Sequence, residues 1–153
     1  MFRINPEAKQ ETPLYNAEWT GVHGLQYGFE NAGDCIKRVV FEKTGITMQR
    51  YKLRCVLDFW NLRREVERVN CFYCDKFKGK LQPRDDGGTY EWIPKDEIKN
   101  LKLWRADRMF FKKNMEEGMD FYFFQGVFTF TGDYIRGSLY PNKEFVKPEE
   151  WDV

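Results

Sequence analysis

Residues 24–46 read GLQYGFENAGDCIKRVVFEKTGI, and this stretch decides the prediction of the fold. Four apolar residues recur in it at helical spacing: Cys35, Ile36, Val39 and Val40. Asn31 or Asp34 can cap the start of a helix, and Gly45 is placed to end it. The stretch therefore predicts a loop followed by a helix of about three turns over 31–44.

The segments around this helix predict strands mixed with shorter helices. Apolar alternation and turn residues favour a hairpin over 50–61 and 66–77, a short strand over 89–93, helical stretches over 94–101 and 105–117, and a pair of strands within 120–140. Before the helix, only Met1–Ile4 predicts a strand. Antiparallel hairpins with a few helices indicate the α+β class, a mixed α/β sandwich. The length of 153 residues predicts a single domain over 1–153.

Composition and charge exclude several classes of protein. The chain has 25 Lys plus Arg and 24 Asp plus Glu, a net charge of +1. A protein whose main work is holding nucleic acid by its phosphates has a strong basic excess, so this balance argues against a nucleic-acid partner. The apolar runs are far shorter than the roughly 20 residues that cross a bilayer, and the start of the chain lacks a signal-peptide core. We expect a cytoplasmic protein with no membrane partner.

The four cysteines favour a reducing compartment, because they are few and unevenly spaced. Cys71 and Cys74 form a CxxC pair, the spacing of zinc and redox sites. The pair lies in a predicted strand, where the alternation of side chains would point the two thiols to opposite faces. The spacing therefore does not favour a metal or redox role.

The stretch that predicts the helix resembles the Nudix box, the signature of a superfamily that hydrolyses nucleoside di- and triphosphates. The box is a glycine, five residues, a glutamate, seven residues, and then Arg-Glu-apolar-x-Glu-Glu-x-Gly-apolar. Seven positions match it: Gly24, Glu30, Arg38, Val40, Glu42, Gly45 and Ile46. The flanks NAEWTG, YEWIPKDEI and LWRADRMFF resemble MutT-like 8-oxo-dGTP diphosphatases. The resemblance covers most of the chain and implies a Nudix-like fold, with a mixed sheet between helices.

Two departures from the box fall on its metal-binding face. The family presents three glutamates there, and this chain has Val39, Glu42 and Lys43. Mg²⁺ is a hard cation that needs carboxylate oxygens, so a cluster of two or three metal ions is not expected. One weak Mg²⁺ site made by Glu42, Glu30 and Asp86 stays open, with Asp85 an alternative to Asp86. Under that alternative, Glu42 and Glu30 are the catalytic candidates.

The resemblance also implies structural roles and a phosphate contact. Glu30 and Arg38 are expected to pair and brace the loop against the helix, and Gly24 and Gly45 shape its ends. Lys43 can pair with Glu42 or Glu30 and face a phosphate as a fixed cation. A lysine supplies only part of the charge stabilisation that hydrolysis takes from metal ions. Binding can therefore survive where catalysis does not.

The nucleoside end of the site looks better preserved. By resemblance, Trp104 stacks on a purine and Asp107 bonds its edge. The alternative is that Trp104 belongs to the core at the start of a helix and Asp107 caps that helix. His23, where relatives carry glycine, is either a phosphate contact or an ordinary loop histidine.

The N-terminal side departs from the family as well. Relatives carry a full β-hairpin before the Trp-x-Gly segment, and here only Met1–Ile4 can stand for its end, so the first hairpin looks missing. A sheet that lacks strands exposes an edge. This favours a homodimer or a protein partner that covers the edge, or an N-terminus adapted as a strap.

These observations favour a degenerate Nudix-fold protein. We expect it to bind a nucleotide or nucleoside-diphosphate derivative, with weak or no hydrolysis. Two alternatives remain. One is an active Mg²⁺-dependent nucleoside triphosphate pyrophosphohydrolase, and the other is a protein-interaction or inhibitor module on the same scaffold.

Overall fold

The long helix of the fold has the boundaries that the sequence predicts. A computed structural model describes residues 1–4, 17–82, 88–115, 118, 120–129, 134–140 and 144–146. Helix α1 spans Ala32–Thr44. The Asn31 side chain caps it by accepting a hydrogen bond from the Asp34 backbone N–H at 2.9 Å. Gly45 ends the helix at φ 74°, a left-handed conformation that glycine adopts without the steric penalty of a side chain.

A mixed five-stranded sheet forms the main body of the protein. Its strands are β3 (Thr47–Trp60), β4 (Val66–Lys78), β6 (Tyr122–Phe128), β7 (Tyr134–Tyr140) and β8 (Glu144–Val146). They lie in the order β4-β3-β6-β7-β8. Only β3 and β6 run parallel, and the other neighbours are antiparallel. The predicted hairpin and the predicted C-terminal pair of strands are confirmed, whereas β8 was not predicted.

The N-terminal residues belong to a second, smaller sheet. Strand β1 (Phe2–Ile4) lies between β2 (Trp19–Thr20) and β5 (Gly88–Tyr90) and is antiparallel to both. The Met1 amino group also donates a hydrogen bond to the carbonyl oxygen of Glu91 at 2.8 Å. The predicted strand at Met1–Ile4 therefore has neighbours on both sides. A partner or second copy covering a sheet edge remains a prediction.

The second half of the chain differs from the prediction in detail. The stretch after Pro94 forms a turn and a short 3₁₀ segment at Ile98–Asn100 instead of a longer helix. Strand β5 ends at Tyr90, short of the predicted end at residue 93. Helix α2 spans Arg105–Asn114, and the predicted continuation at 116–117 lies outside the described residues.

The hydrophobic core lies between α2 and one face of the large sheet. Its buried members are Cys55, Leu57, Ala106, Phe110, Tyr122, Phe124 and Phe128. The strand residues alternate, so β6 buries every second side chain and leaves the residues between them half-buried. On α2, Phe110 is buried in this core and Met109 is half-buried against it. In the described part of the chain, no helix is long and apolar enough to cross a membrane.

Candidate functional site

Arg38 is the centre of the loop and helix that the sequence analysis singled out. Its guanidinium donates hydrogen bonds to both carboxylate oxygens of Glu30, through Nε at 3.0 Å and Nη2 at 2.5 Å. Nη1 donates to Glu42 at 3.0 Å, and Nη2 also donates to the carbonyl oxygen of Leu25 at 2.9 Å. The predicted pairing of Glu30 with Arg38 is present in the structure. One arginine thus binds both glutamates that match the box.

This arrangement fixes the charge of Glu30. The hydrogen bonds from Arg38, with one from the Tyr27 backbone N–H, hold the pKa of Glu30 at about 2. The ring of Tyr27 lies 4.6 Å from the Arg38 guanidinium carbon, a cation–π contact. Arg38 therefore holds the loop before α1 against the helix through Glu30, the carbonyl oxygen of Leu25 and the ring of Tyr27.

Val39 occupies the first of the altered glutamate positions as a core residue. Its side chain is only 3% exposed. A Cβ atom placed on Gly24 would lie 2.6 Å from Val39 Cγ2, so the loop backbone passes directly over the valine. Gly24 is required by this close approach, which agrees with the predicted structural role.

The described residues do not fit a divalent-cation site. The two retained carboxylates, Glu30 and Glu42, already accept hydrogen bonds from Arg38. The other two box positions carry an apolar side chain and an ammonium group. No set of three His, Cys, Asp or Glu residues that could hold a metal occurs in the described ranges. Asp85 and Asp86 lie outside those residues, and a role for either stays a prediction.

Lys43 is the half-buried cation at the end of the same helix. Its ammonium group makes no hydrogen bond or ion pair with any of the described residues. The ammonium group of Lys37, in contrast, pairs with Asp34 at 2.6 Å. Glu42 bonds to Arg38 instead of to Lys43. The predicted pairing of Lys43 with Glu42 or Glu30 is therefore absent, and the ammonium group retains its donors.

Trp104 lies at the N-terminus of α2, against the core. Its ring packs edge-on to Phe59 at 5.5 Å and against Phe128 at 5.4 Å, and the residue is half-buried. Trp104 stands at the N-cap position without a capping side-chain hydrogen bond. Part of the indole belongs to the core, as the structural alternative predicts. The remainder is accessible, so stacking of a base is compatible with this placement.

Asp107 lies one turn further along α2. It is half-buried, and burial raises the pKa of its carboxyl group to about 6, while a hydrogen bond with the Thr20 side chain acts in the opposite direction. Asp107 is in the first turn and not at the cap, so the predicted capping role is wrong in position. A carboxyl group with a pKa near 6 can accept or donate a hydrogen bond close to neutral pH.

Burial of Asp107 makes stability depend on pH. The native carboxyl group keeps its proton up to about pH 6, whereas the unfolded one loses it near 3.8. The free energy of unfolding is therefore expected to fall as pH rises from about 4 to 6, by at most about 3 kcal/mol. Urea denaturation of the wild type and Asp107→Asn at several pH values measures this. A stability difference between the two proteins that does not change with pH would contradict it.

Two residues near Asp107 were not identified from the sequence. Thr20 bonds its carboxyl group, and Cys71 is close enough for the carboxylate charge to raise the pKa of the thiol. Cys71 also lies opposite Cys55 across β3 and β4, and the interaction between the two thiols raises the pKa of Cys71 and lowers that of Cys55. Thr20 lies in the flank that resembles the diphosphatases. No sequence signal singled out Cys71 for this place.

Two further sequence expectations concern His23 and Cys74. His23 is exposed, and its Nδ1 lies 3.0 Å from the carbonyl oxygen of Gly21, which fits an ordinary loop histidine; a phosphate contact stays a prediction. The sulfur of Cys74 donates to the carbonyl oxygen of Lys76 at 3.3 Å, away from the Cys55–Cys71 pair. All four cysteines are free thiols.

Comparison with known proteins supports the fold. No family model matches the chain. The structure is similar to the crystal structure of the mutator MutT protein from Bacillus halodurans, with a TM-score of 0.68. The two chains are 20% identical, and the match covers 76% of this chain and 78% of the other. At this level of identity the similarity shows the fold alone, which is the Nudix-like α+β fold that the sequence predicts.

Proposed function

We propose that this protein binds a nucleotide or nucleoside-diphosphate derivative without a metal ion and without efficient hydrolysis. The observation that carries the proposal is the position of Arg38, which bonds both glutamates retained from the box. A divalent cation would have to compete with a guanidinium for those oxygens. Hydrolysis of a diphosphate normally takes its activated water and its charge stabilisation from such cations.

The groups that remain suit binding. Lys43 has a half-buried ammonium group and makes no ion pair with a described residue, which leaves its donors for a phosphate. Trp104 offers an accessible part of its ring to a base, and Asp107 supplies a polar group whose pKa of about 6 permits either direction of hydrogen bonding. The proposed ligand therefore presents its base to α2 and its phosphates to Lys43.

The test is thermal unfolding of the protein with each common nucleoside triphosphate, a dinucleotide or ADP-ribose, in Mg²⁺ and in EDTA. A ligand that binds the native state raises Tm by mass action. We expect equal stabilisation in both buffers and no release of phosphate or pyrophosphate. Stabilisation that requires Mg²⁺, together with such release, would identify the active pyrophosphohydrolase instead. No stabilisation by any compound would favour the interaction module.

Lys43→Glu tests the phosphate contact. A hydrogen bond between charged groups contributes about 1.5–3 kcal/mol, so the variant is expected to bind the stabilising nucleotide at least about tenfold more weakly in EDTA. Lys99→Glu changes the charge of the protein equally at an exposed position of the 3₁₀ segment and is the matched control. Titration calorimetry measures both variants. Equal weakening in the two would show that only overall charge matters.

A further inference from the structure

One end of the β3–β4 hairpin extends beyond the large sheet. Strand β3 pairs with β6 only over Cys55–Trp60, whereas its pairing with β4 continues to Thr47 opposite Lys78. Within the described part of the chain, residues 47–54 have β4 as their only strand neighbour. We call residues 47–54 and 72–80 the ribbon.

The ribbon gathers positive charge. It contains one acidic residue, Asp75, and six basic residues: Arg50, Lys52, Arg54, Lys76, Lys78 and Lys80. The whole chain has a net charge of only +1, so the rest of the protein is negative. The strand register places Arg50 directly opposite Lys76, and like charges in facing positions destabilise a sheet. The ribbon therefore contains a facing pair of like charges that lowers the stability of the sheet.

The lysines of the ribbon edge are exposed. The ammonium groups of Lys76, Lys78 and Lys80 make no hydrogen bond or ion pair with any residue in the described ranges. Arg50, in contrast, is paired with Asp75 at 2.6 Å. Strand β4 is also an edge of the five-stranded sheet. In the part of the chain that the structure describes, three cations therefore lie on an edge strand or directly after it.

Exposed aromatic rings lie along the same strand, and the alternation of side chains places Phe77 on the opposite face of β4 from Lys76 and Lys78. Phe77 and Trp92 stack with their centroids 5.1 Å apart and their planes at 22°, although they are 44% and 63% exposed. Trp92 lies two residues after the end of β5, and β5 belongs to the smaller sheet. Tyr73, further along the same strand, is 38% exposed and has the Arg54 guanidinium 4.9 Å from its ring centroid.

Protection of the sheet edge explains the exposed lysines but not the exposed aromatic rings. Lysines on an edge strand discourage pairing with another chain. Exposed aromatic rings do the reverse, because apolar surface promotes association. A ligand with regularly spaced negative charges and flat aromatic groups uses both features. Single-stranded nucleic acid is such a ligand, since its phosphates bind cations and its bases stack on aromatic side chains.

We propose that the ribbon binds single-stranded nucleic acid along β4. Lys76, Lys78 and Lys80 contact phosphates, and the bound strand passes around the edge of β4 so that a base stacks on the exposed pair of Phe77 and Trp92 on the opposite face. The run from Tyr73 to Lys78 is about 17 Å long, enough for a short stretch of extended chain. This surface does not include Trp104 or Asp107, although its Gly79 end packs against Gly45 at the end of the helix that carries Lys43.

The test is fluorescence anisotropy of labelled single-stranded oligonucleotides of about 12 nucleotides, titrated with the full-length protein from roughly 50 to 200 mM salt. The double variant Lys76→Ser/Lys78→Ser is expected to bind at least about tenfold more weakly, and the slope of log K against log salt should fall by about 1.4. Trp92→Ala should weaken binding by roughly tenfold with the slope unchanged. Lys99→Ser/Lys112→Ser, with the same change in charge, should bind like the wild type.

Three results would overturn the proposal. The first is no binding of oligonucleotides by the wild type at low salt, in which case the lysines serve only the sheet edge. The second is equal loss in the ribbon variant and the Lys99/Lys112 control. The third is binding of vesicles containing phosphatidylserine, lost in the ribbon variant, without binding of oligonucleotides. A saturating concentration of the mononucleotide that raises Tm, expected to leave oligonucleotide binding unchanged, separates this surface from a chain end held in the nucleotide site.

Discussion

Replacing Val39 and Lys43 together with glutamate is expected to lower the free energy of unfolding by about 3–5 kcal/mol, although it completes the match of the sequence to the Nudix box. Val39 is 3% exposed, and its methyl groups lie directly beneath Gly24. A carboxylate there would be buried without a cation, since the second substitution removes the lysine one turn away. Urea denaturation at neutral pH measures the change.

Phe41→Glu is the control for this experiment. Phe41 lies on the same helix but is 54% exposed, so a change within about 0.5 kcal/mol is expected. Phosphate release by the double variant should stay absent in Mg²⁺, because Arg38 still bonds Glu30 and Glu42. If Mg²⁺ restored both stability and hydrolysis, the two lost carboxylates would account for the whole difference from the family, and our interpretation of Arg38 would be wrong.

Replacing Phe124 with alanine is expected to cost about 3–5 kcal/mol of unfolding free energy. The ring is fully buried at the centre of β6 and packs edge-on to Phe110 at 5.1 Å. It also covers the backbone of two glycines: a Cβ atom on Gly126 or Gly137 would lie within 3 Å of it. Its removal leaves a cavity bordered by backbone that cannot move in to fill it.

Phe121→Ala provides the comparison, because Phe121 precedes the same strand and is 52% exposed. We expect it to change stability by no more than about 0.5 kcal/mol. Chemical denaturation of both variants separates the packing of the core from aromatic content in general. A loss below about 1 kcal/mol for Phe124→Ala would mean that the core collapses around the cavity.

The part of the site that sequence reasoning predicted is local. Glu30 lies in the loop before α1 and Arg38 lies eight residues later, in the middle of that helix, and the resemblance to the motif implies their pairing. Sequence reasoning also assigned Lys43 a partner, and this was wrong, because Glu42 bonds to Arg38 at i−4 on the same helix. Glu30 and Glu42 both accept hydrogen bonds from Arg38, so the ammonium group of Lys43 has no carboxylate partner among the described residues.

The contacts of Asp107 could not be predicted in the same way. Thr20 and Cys71 come from distant parts of the chain and meet the carboxyl group only through the packing of α2. Neither residue has a spacing relation to Asp107 that a motif could register. The raised pKa of Asp107 is likewise a consequence of burial, which depends on what the tertiary structure places around the side chain.

Local signals let the sequence determine the elements of this protein. Capping by Asn31, termination at Gly45 and the alternation along β6 act within a few residues, so the chain itself encodes them. Only the tertiary structure decided how charges combine across elements. A net charge of +1 averages over the chain, whereas the register of the hairpin sets Arg50 opposite Lys76, and the packing of the segment after β5 brings Trp92 onto Phe77. Charges and rings act through distance in space, and folding sets that distance independently of separation along the sequence.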